Sequence, residues 1–214
     1  MQNINYIVAM HLFFFDTETN GLPRNYRAPP TQIGNWPEII SIAWEAWTIQ
    51  DGVWSRDRSE SYLVQPSEGL IWDKGAEHVH GISYVKALTE GQSIKTILEK
   101  VQEEFSKATH ILSHNLAFDK SVVLASMFRH TGTAKWPAGV KDVCTMLATV
   151  PICKIKSTSP YATELEPYKW PRLQELHHFL FASDWPGPAH EALSDVQCMV
   201  ACYRALVERG LLTV

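Results

Sequence analysis

The first strongly apolar run of the chain, Leu12-Phe13-Phe14-Phe15, ends on two acids, Asp16 and Glu18. A run this short and this aromatic is a fully buried strand rather than a helix. Two carboxylates two residues apart on the extension of a strand point to the same side. Gathering acids at the end of a buried strand is costly, because each loses hydration and like charges repel. A divalent cation held between them removes that cost. The chain is therefore expected to fold as a sheet with one strand end opening on a metal pocket.

Two further motifs supply what such a pocket needs. His114-Asn115-Leu116-Ala117-Phe118-Asp119 follows the short apolar strand Ile111-Leu112-Ser113, and places Asp119 at a helix start, where the helix dipole favours an acid. Phe118 is an apolar anchor that holds this carboxylate toward the pocket. In His190-Glu191-Ala192-Leu193-Ser194-Asp195 the acid lies beside the apolar stripe Leu193, Val196 and Val200, where an unpaired charge would be expensive. At about 100° per residue, two positions five apart on one regular helix diverge by about 140°. His190 is therefore expected in the loop after Pro186-Gly187-Pro188, from which it can swing to the same pocket. Carboxylate-held metal pairs of this kind are the usual machinery for cutting phosphodiesters.

The order and spacing of the three motifs resemble the DEDDh family of 3′–5′ exonucleases, which includes the proofreading (epsilon) subunit of bacterial DNA polymerase III. The resemblance runs from about Leu12 to the C-terminus. A lone DxE pair commonly caps a turn after a strand; three motifs in order are specific. The resemblance implies an α/β fold, ribonuclease H-like, with a mixed five-stranded sheet and helices on both faces. It implies Asp16, Glu18, Asp119 and Asp195 as ligands of two divalent metal ions, Mg²⁺ with Mn²⁺ as substitute. His190 is implied as the general base. A related branch uses Tyr four residues before the last acid; that position is Glu191 here, so the His branch fits. The implied reaction releases nucleoside 5′-monophosphates from nucleic acid 3′ ends, DNA before RNA and single-stranded or frayed before duplex. RNA trimming on the same scaffold is the alternative. A non-catalytic nucleic-acid-binding protein on this fold usually lacks a ligand, and here all five positions are filled. Substrate contacts are implied at Ala76, Val79 and His80, with Thr17, Thr19 and Leu22 acting through backbone amides and side-chain wedging. Asn115 either holds the pocket by hydrogen bonds or packs the second motif. Asp142 and the segment Arg172 to Leu176 read as structural.

Along the chain, Glu38 to Ile49 is a second strand, Asp51-Gly52 a hairpin turn, and a third strand ends near Tyr62-Leu63-Val64, giving an antiparallel meander. Ser93 is expected to cap a helix burying Ile94, Ile97, Leu98, Val101 and Phe105. A helix from Asp119 closes at Thr131-Gly132, and a short strand lies near Val140 to Val143. The last helix runs from Ala192 to about Arg209 and buries Leu193, Val196, Val200, Tyr203 and Val207. Two long loops, about 22–37 and 151–171, interrupt what reads as a single exonuclease domain over 1–214.

The net charge of −4 argues against broad electrostatic wrapping of nucleic acid. Four ligand carboxylates contribute −4 and two divalent cations +4, so attraction for phosphate would concentrate at the loaded site. The four cysteines form no CxxC pair and no disulfide framework, and are expected to be reduced and structural. The apolar stretch from Tyr6 to Phe15 carries His11 and has no basic residue before it, so it reads as a strand and not as a signal peptide or membrane span. A cytoplasmic protein is expected, with no membrane partner. No extended tail follows the last helix, so no polymerase-binding segment is expected, and the enzyme should stand alone or act in trans.

Overall fold

The computed structural model describes residues 9–160, 162–165 and 167–214. The part of the expected apolar stretch from Tyr6 to Val8 lies outside the described residues. Strand β1 (Met10–Thr19) is central, pairing antiparallel with β2 (Ile39–Gln50) on one side and parallel with β4 (His110–Ser113) on the other. β3 (Val53–Leu63) flanks β2 and β5 (Lys141–Cys144) flanks β4, giving the order β3-β2-β1-β4-β5. The expected hairpin joins β2 to β3, with Asp51 and Gly52 at φ of 52° and 78°. Positive φ at both central residues is what a two-residue hairpin turn requires.

Alternation along β1 creates two cores. Phe13 and Phe15 face α3 (Ile94–Lys107) and α4 (Leu116–Thr131), meeting Ile97, Phe105 and Val122. Leu12 and Phe14 face α6 (Leu173–Phe181) and α7 (Ala192–Glu208), meeting Leu176, Val196 and Tyr203. Edge-on aromatic pairs fix both sides: Phe13 to Phe105 at 5.3 Å and Phe14 to Tyr203 at 5.6 Å between ring centroids. Burying each such side chain contributes about 1.5–3 kcal/mol. The outcome is the ribonuclease H-like α/β arrangement, a mixed five-stranded sheet with helices on both faces.

Several boundaries differ from the sequence expectation. β1 does not stop at Phe15 but carries both acids within it, because pairing with β2 continues through Asp16 with Ala43 and Glu18 with Ser41. α4 begins at Leu116, not at Asp119; Asn115 takes a left-handed φ of 80° and turns the chain from β4 directly into the helix. Asn tolerates that conformation better than most residues. Ser93 stands at the start of α3 but its side chain makes no capping bond, and Leu193 and Val207 are half-buried rather than core. Four helices were not foreseen as separate elements: α1 (Lys74–His80), α2 (Tyr84–Glu90), α5 (Thr145–Cys153) and α6.

α5 takes the first residues of the expected loop 151–171, with Pro151 inside its last turn. The rest folds back on itself: Ser157 N–H donates to Pro167 O (2.8 Å) and Lys169 N–H to Ile155 O (2.9 Å). The loop 22–37 is fastened by Arg129 of α4, whose Nη2 donates to the carbonyls of Ile33 (2.9 Å) and Trp36 (3.0 Å). All four cysteines are free, and no described helix is long and apolar enough to cross a membrane.

Candidate active site

Asp16 and Glu18 continue the Leu12–Phe14 face of β1 and emerge on the side covered by α7. Thr17, between them, turns to the α4 side. Asp195 lies in the first turn of α7 and Asp119 in the first turn of α4, each where the helix dipole favours negative charge. Four acids from three distant stretches of chain thus meet at one end of the central strand.

Asp119 is buried and tightly held. Its Oδ1 accepts from Thr17 N–H (3.1 Å) and Thr17 Oγ1 (2.7 Å), and its Oδ2 accepts from Ser113 Oγ (2.7 Å). A carboxylate offers about four lone-pair sites. Two of the bonds from Thr17 and Ser113 fall on Oδ1 and one on Oδ2, so Oδ2 is the less committed oxygen for a metal. Asp195 accepts the backbone N–H of His190 at Oδ2 (3.0 Å), while Gln174 Nε2 stands 3.5 Å from Oδ1.

The electrostatics are those of a cation site. Burial, then the charges of Asp119, Glu18 and Asp195, push Asp16 well above the ordinary carboxylate range. Burial together with Asp195 and Asp119 pushes Glu18 up to about 8. Burial raises Asp119 to about 6, although the bonds from Ser113 and Thr17 pull the other way. Burial likewise raises Asp195 to about 6 against the pull of the His190 N–H. The charges acting on Asp16 and Glu18 are those of other carboxylates, so a bound cation would relieve what now opposes their ionisation.

His190 is exposed in the loop just before α7, with a left-handed φ of 61°. Glu18, His190 and Asp195 each bring a potential ligand atom within 4.8 Å of the other two. His190 is therefore near enough either to take a proton at the site or to share an ion.

A cleft of about 590 Å³ opens over this centre, lined by Asp16, His190 and Asp195 on one side and by Met146 and residues 170–174 on the other. His114 anchors that far wall. Its Nε2 lies 2.9 Å from the Pro171 carbonyl and its Nδ1 3.0 Å from Thr145 Oγ1. A carbonyl only accepts, so Nε2 carries the proton and Nδ1 accepts from the hydroxyl. Burial lowers the pKa of His114, which keeps this neutral form. Sequence reasoning gave no role to His114, Ser113 or Gln174. His114 opened the second motif and was visible, Gln174 lay in the segment read as structural, and Ser113 carries no signal outside the folded chain.

The expected substrate contacts divide. Thr17 is spent on Asp119, and the Thr19 hydroxyl donates to the Gly21 carbonyl (2.7 Å), where a φ of 148° turns the chain out of β1. Asn115 makes no side-chain capping bond, and its left-handed backbone turns the chain into α4. Leu22 and Val79 are exposed, at 73% and 53%. Ala76 and His80 lie on α1, which Asp73 caps by accepting the Ala76 N–H (2.8 Å). His80 accepts the Ile82 N–H at Nδ1 (3.0 Å), and its buried Nε2 has no partner among the described residues. With Pro188, Ala189 and His190 it lines a smaller cavity of about 360 Å³, so this segment does reach His190. Asp142, read as structural, is bound by Lys120 (2.5 Å) and Trp136 Nε1 (2.8 Å).

Another cavity, of about 480 Å³, lies at the far end of β1, where the polar groups satisfy one another. His11 pairs with Thr48, Thr48 with Asp57, and Arg58 and Lys107 with Glu104.

No protein-family model and no curated protein matches the chain. Solved structures do. Escherichia coli exonuclease I in a zinc-bound complex with single-stranded DNA is 18% identical with a TM-score of 0.66, over 94% of this chain and 41% of that one. The same enzyme with a dT13 oligonucleotide gives 17% and 0.68, with coverages of 94% and 41%. Exonuclease I from Methylocaldum szegediense gives 19% and 0.65, again over 94% and 41%. The likeness is one of fold. The chain spans 41% of the length of these enzymes.

Proposed function

We propose that the protein is a metal-dependent DEDDh 3′–5′ exonuclease that releases nucleoside 5′-monophosphates from the 3′ end of single-stranded DNA. One observation carries the reading: Asp16, Glu18, Asp119 and Asp195 meet near His190, with Asp16, Asp195 and His190 on an open cleft, and the acids' charges oppose the ionisation of Asp16 and Glu18 until a cation is present. The fold-level neighbours, described as exonuclease I with bound oligonucleotides, support both the activity and the DNA substrate.

Oxygen donors of this type suit Mg²⁺, with Mn²⁺ as substitute. The four carboxylates would hold two such ions, Asp119 through Oδ2, which accepts fewer bonds from Thr17 and Ser113 than Oδ1. When bound, the ions supply water activation and neutralise charge building on the phosphate and leaving oxygen. The protein supplies position and proton traffic. Thr17 and Ser113 fix Asp119, and the His190 backbone fixes Asp195. The His190 ring takes the proton of the attacking water at a ring nitrogen and, being exposed, returns it to solvent.

The test is digestion of matched 5′-labelled DNA and RNA oligomers with Mg²⁺. A ladder of shortened, still-labelled DNA products is expected. Preference for RNA would reassign the substrate to RNA trimming, early release of labelled mononucleotide would reverse the polarity, and failure to cleave either strand would overturn the reading.

A further inference from the structure

Seven of the eight tryptophans are buried or half-buried; Trp170 alone is exposed, at 64%. It makes no ring contact and no hydrogen bond with any described residue, yet it lines the same cleft as Asp16, His190 and Asp195. A large indole left in water with no such partner among the described residues is costly.

The backbone around it is fixed. Lys169 N–H donates to Ile155 O (2.9 Å), Pro171 O is held by His114 (2.9 Å), and Arg172 N–H donates to Glu175 Oε2 (2.8 Å). The ring is therefore presented from a rigid wall. Arg172, also on the cleft, places a guanidinium two residues away. An aromatic side chain and a cationic one lining the same cleft suit a strand that alternates base and phosphate.

We propose that Trp170 is a stacking platform for an unpaired base near the 3′ end of the substrate strand, an inference that rests on the exonuclease reading. Stacking uses the face every base has, so the contact is tolerant of sequence. Inside a duplex that face is covered by neighbouring bases. The platform therefore selects single-stranded or frayed ends, and it acts on binding, ahead of the chemical step.

The test uses steady-state cleavage of a single-stranded oligodeoxynucleotide and of versions lacking the base at each of the last three 3′ positions. Trp170→Ala is expected to raise KM by about 5- to 150-fold, the range for losing one base–aromatic stack, with kcat little changed. Trp170→Phe should keep most of the affinity. Removing the stacked base should raise KM for the wild-type chain and leave Trp170→Ala unaffected. A wild-type KM in Trp170→Ala overturns the proposal while the exonuclease reading stands. So does a wild-type chain indifferent to all three abasic positions, a result that needs no variant to fold. A wild-type chain that cleaves nothing removes the exonuclease reading and the proposal together.

Discussion

Thr17 donates twice to a single oxygen of Asp119, from its backbone N–H at 3.1 Å and its hydroxyl at 2.7 Å, across 102 residues of sequence. The pair ties the central strand to α4 at the point where the acids gather. Thr17→Val keeps the shape and the N–H and removes the hydroxyl. A hydrogen bond to a charged group contributes about 1.5–3 kcal/mol. Asp119 ionises at about 6, so the loss should approach this value at pH 8 and shrink at pH 5. Urea melts in EDTA at the two pH values measure it; an equal loss at both would mean that the hydroxyl serves packing alone.

Metal-free protein should lose stability as pH rises. Asp16, Glu18, Asp119 and Asp195 all hold protons to higher pH folded than unfolded. The folded state then binds more protons, and stability falls as pH climbs from the ordinary carboxylate range near 4 through about 6 for two of the acids and about 8 for Glu18. Below pH of about 6.5 the histidines whose pKa burial lowers (His80, His110, His114 and His130) act in the opposite sense. The carboxylate effect should therefore stand alone between about pH 6.5 and 8. Thermal melts in EDTA should fall across that window and recover with Mg²⁺. A flat EDTA profile would contradict the burial and repulsion that raise Asp16 and Glu18.

Neutralising one acid separates folding from function. Asp16→Asn or Asp195→Asn should leave metal-free protein as stable or slightly more stable at pH 8, while turnover drops to near background through loss of a ligand. EDTA should likewise abolish the wild-type activity, and Mg²⁺ or Mn²⁺ restore it. Melting and turnover read from the same preparations check this. A variant that loses fold and activity together would make the residue structural.

His190→Ala distinguishes a base from a ligand. Loss of a general base lowers turnover by roughly 10²- to 10⁴-fold, and divalent-ion affinity should persist because the carboxylates carry the ions. The acidic limb of the rate profile should flatten in the variant, with partial recovery as pH rises. Glu18, His190 and Asp195 lie within ligand distance of one another. Loss of ion affinity alongside activity, by titration calorimetry, would therefore turn His190 from base into ligand.

The parts of the molecule legible in sequence are those with local signatures: the apolar core of β1, the Asp51-Gly52 hairpin, the stripes of α3 and α7, and the loop position of His190. α5 was hidden because Met146, Leu147, Val150 and Ile152 surround it with apolar residues and Pro151 reads as a stop. The start of α4 was misread because Asn115 takes a left-handed turn that nothing in its neighbours announces. Partnerships such as Thr17 with Asp119 or His114 with Pro171 join residues 102 and 57 apart, so no local pattern carries them.

The left-handed backbone of His190 sets two kinds of fitness against each other. At a φ of 61° every β-carbon meets its own carbonyl, at a cost of roughly 1–2 kcal/mol that glycine escapes. Glycine at this position would also keep the N–H that orients Asp195. A library selected for heat tolerance alone should therefore enrich His190→Gly, while one selected for turnover should reject it.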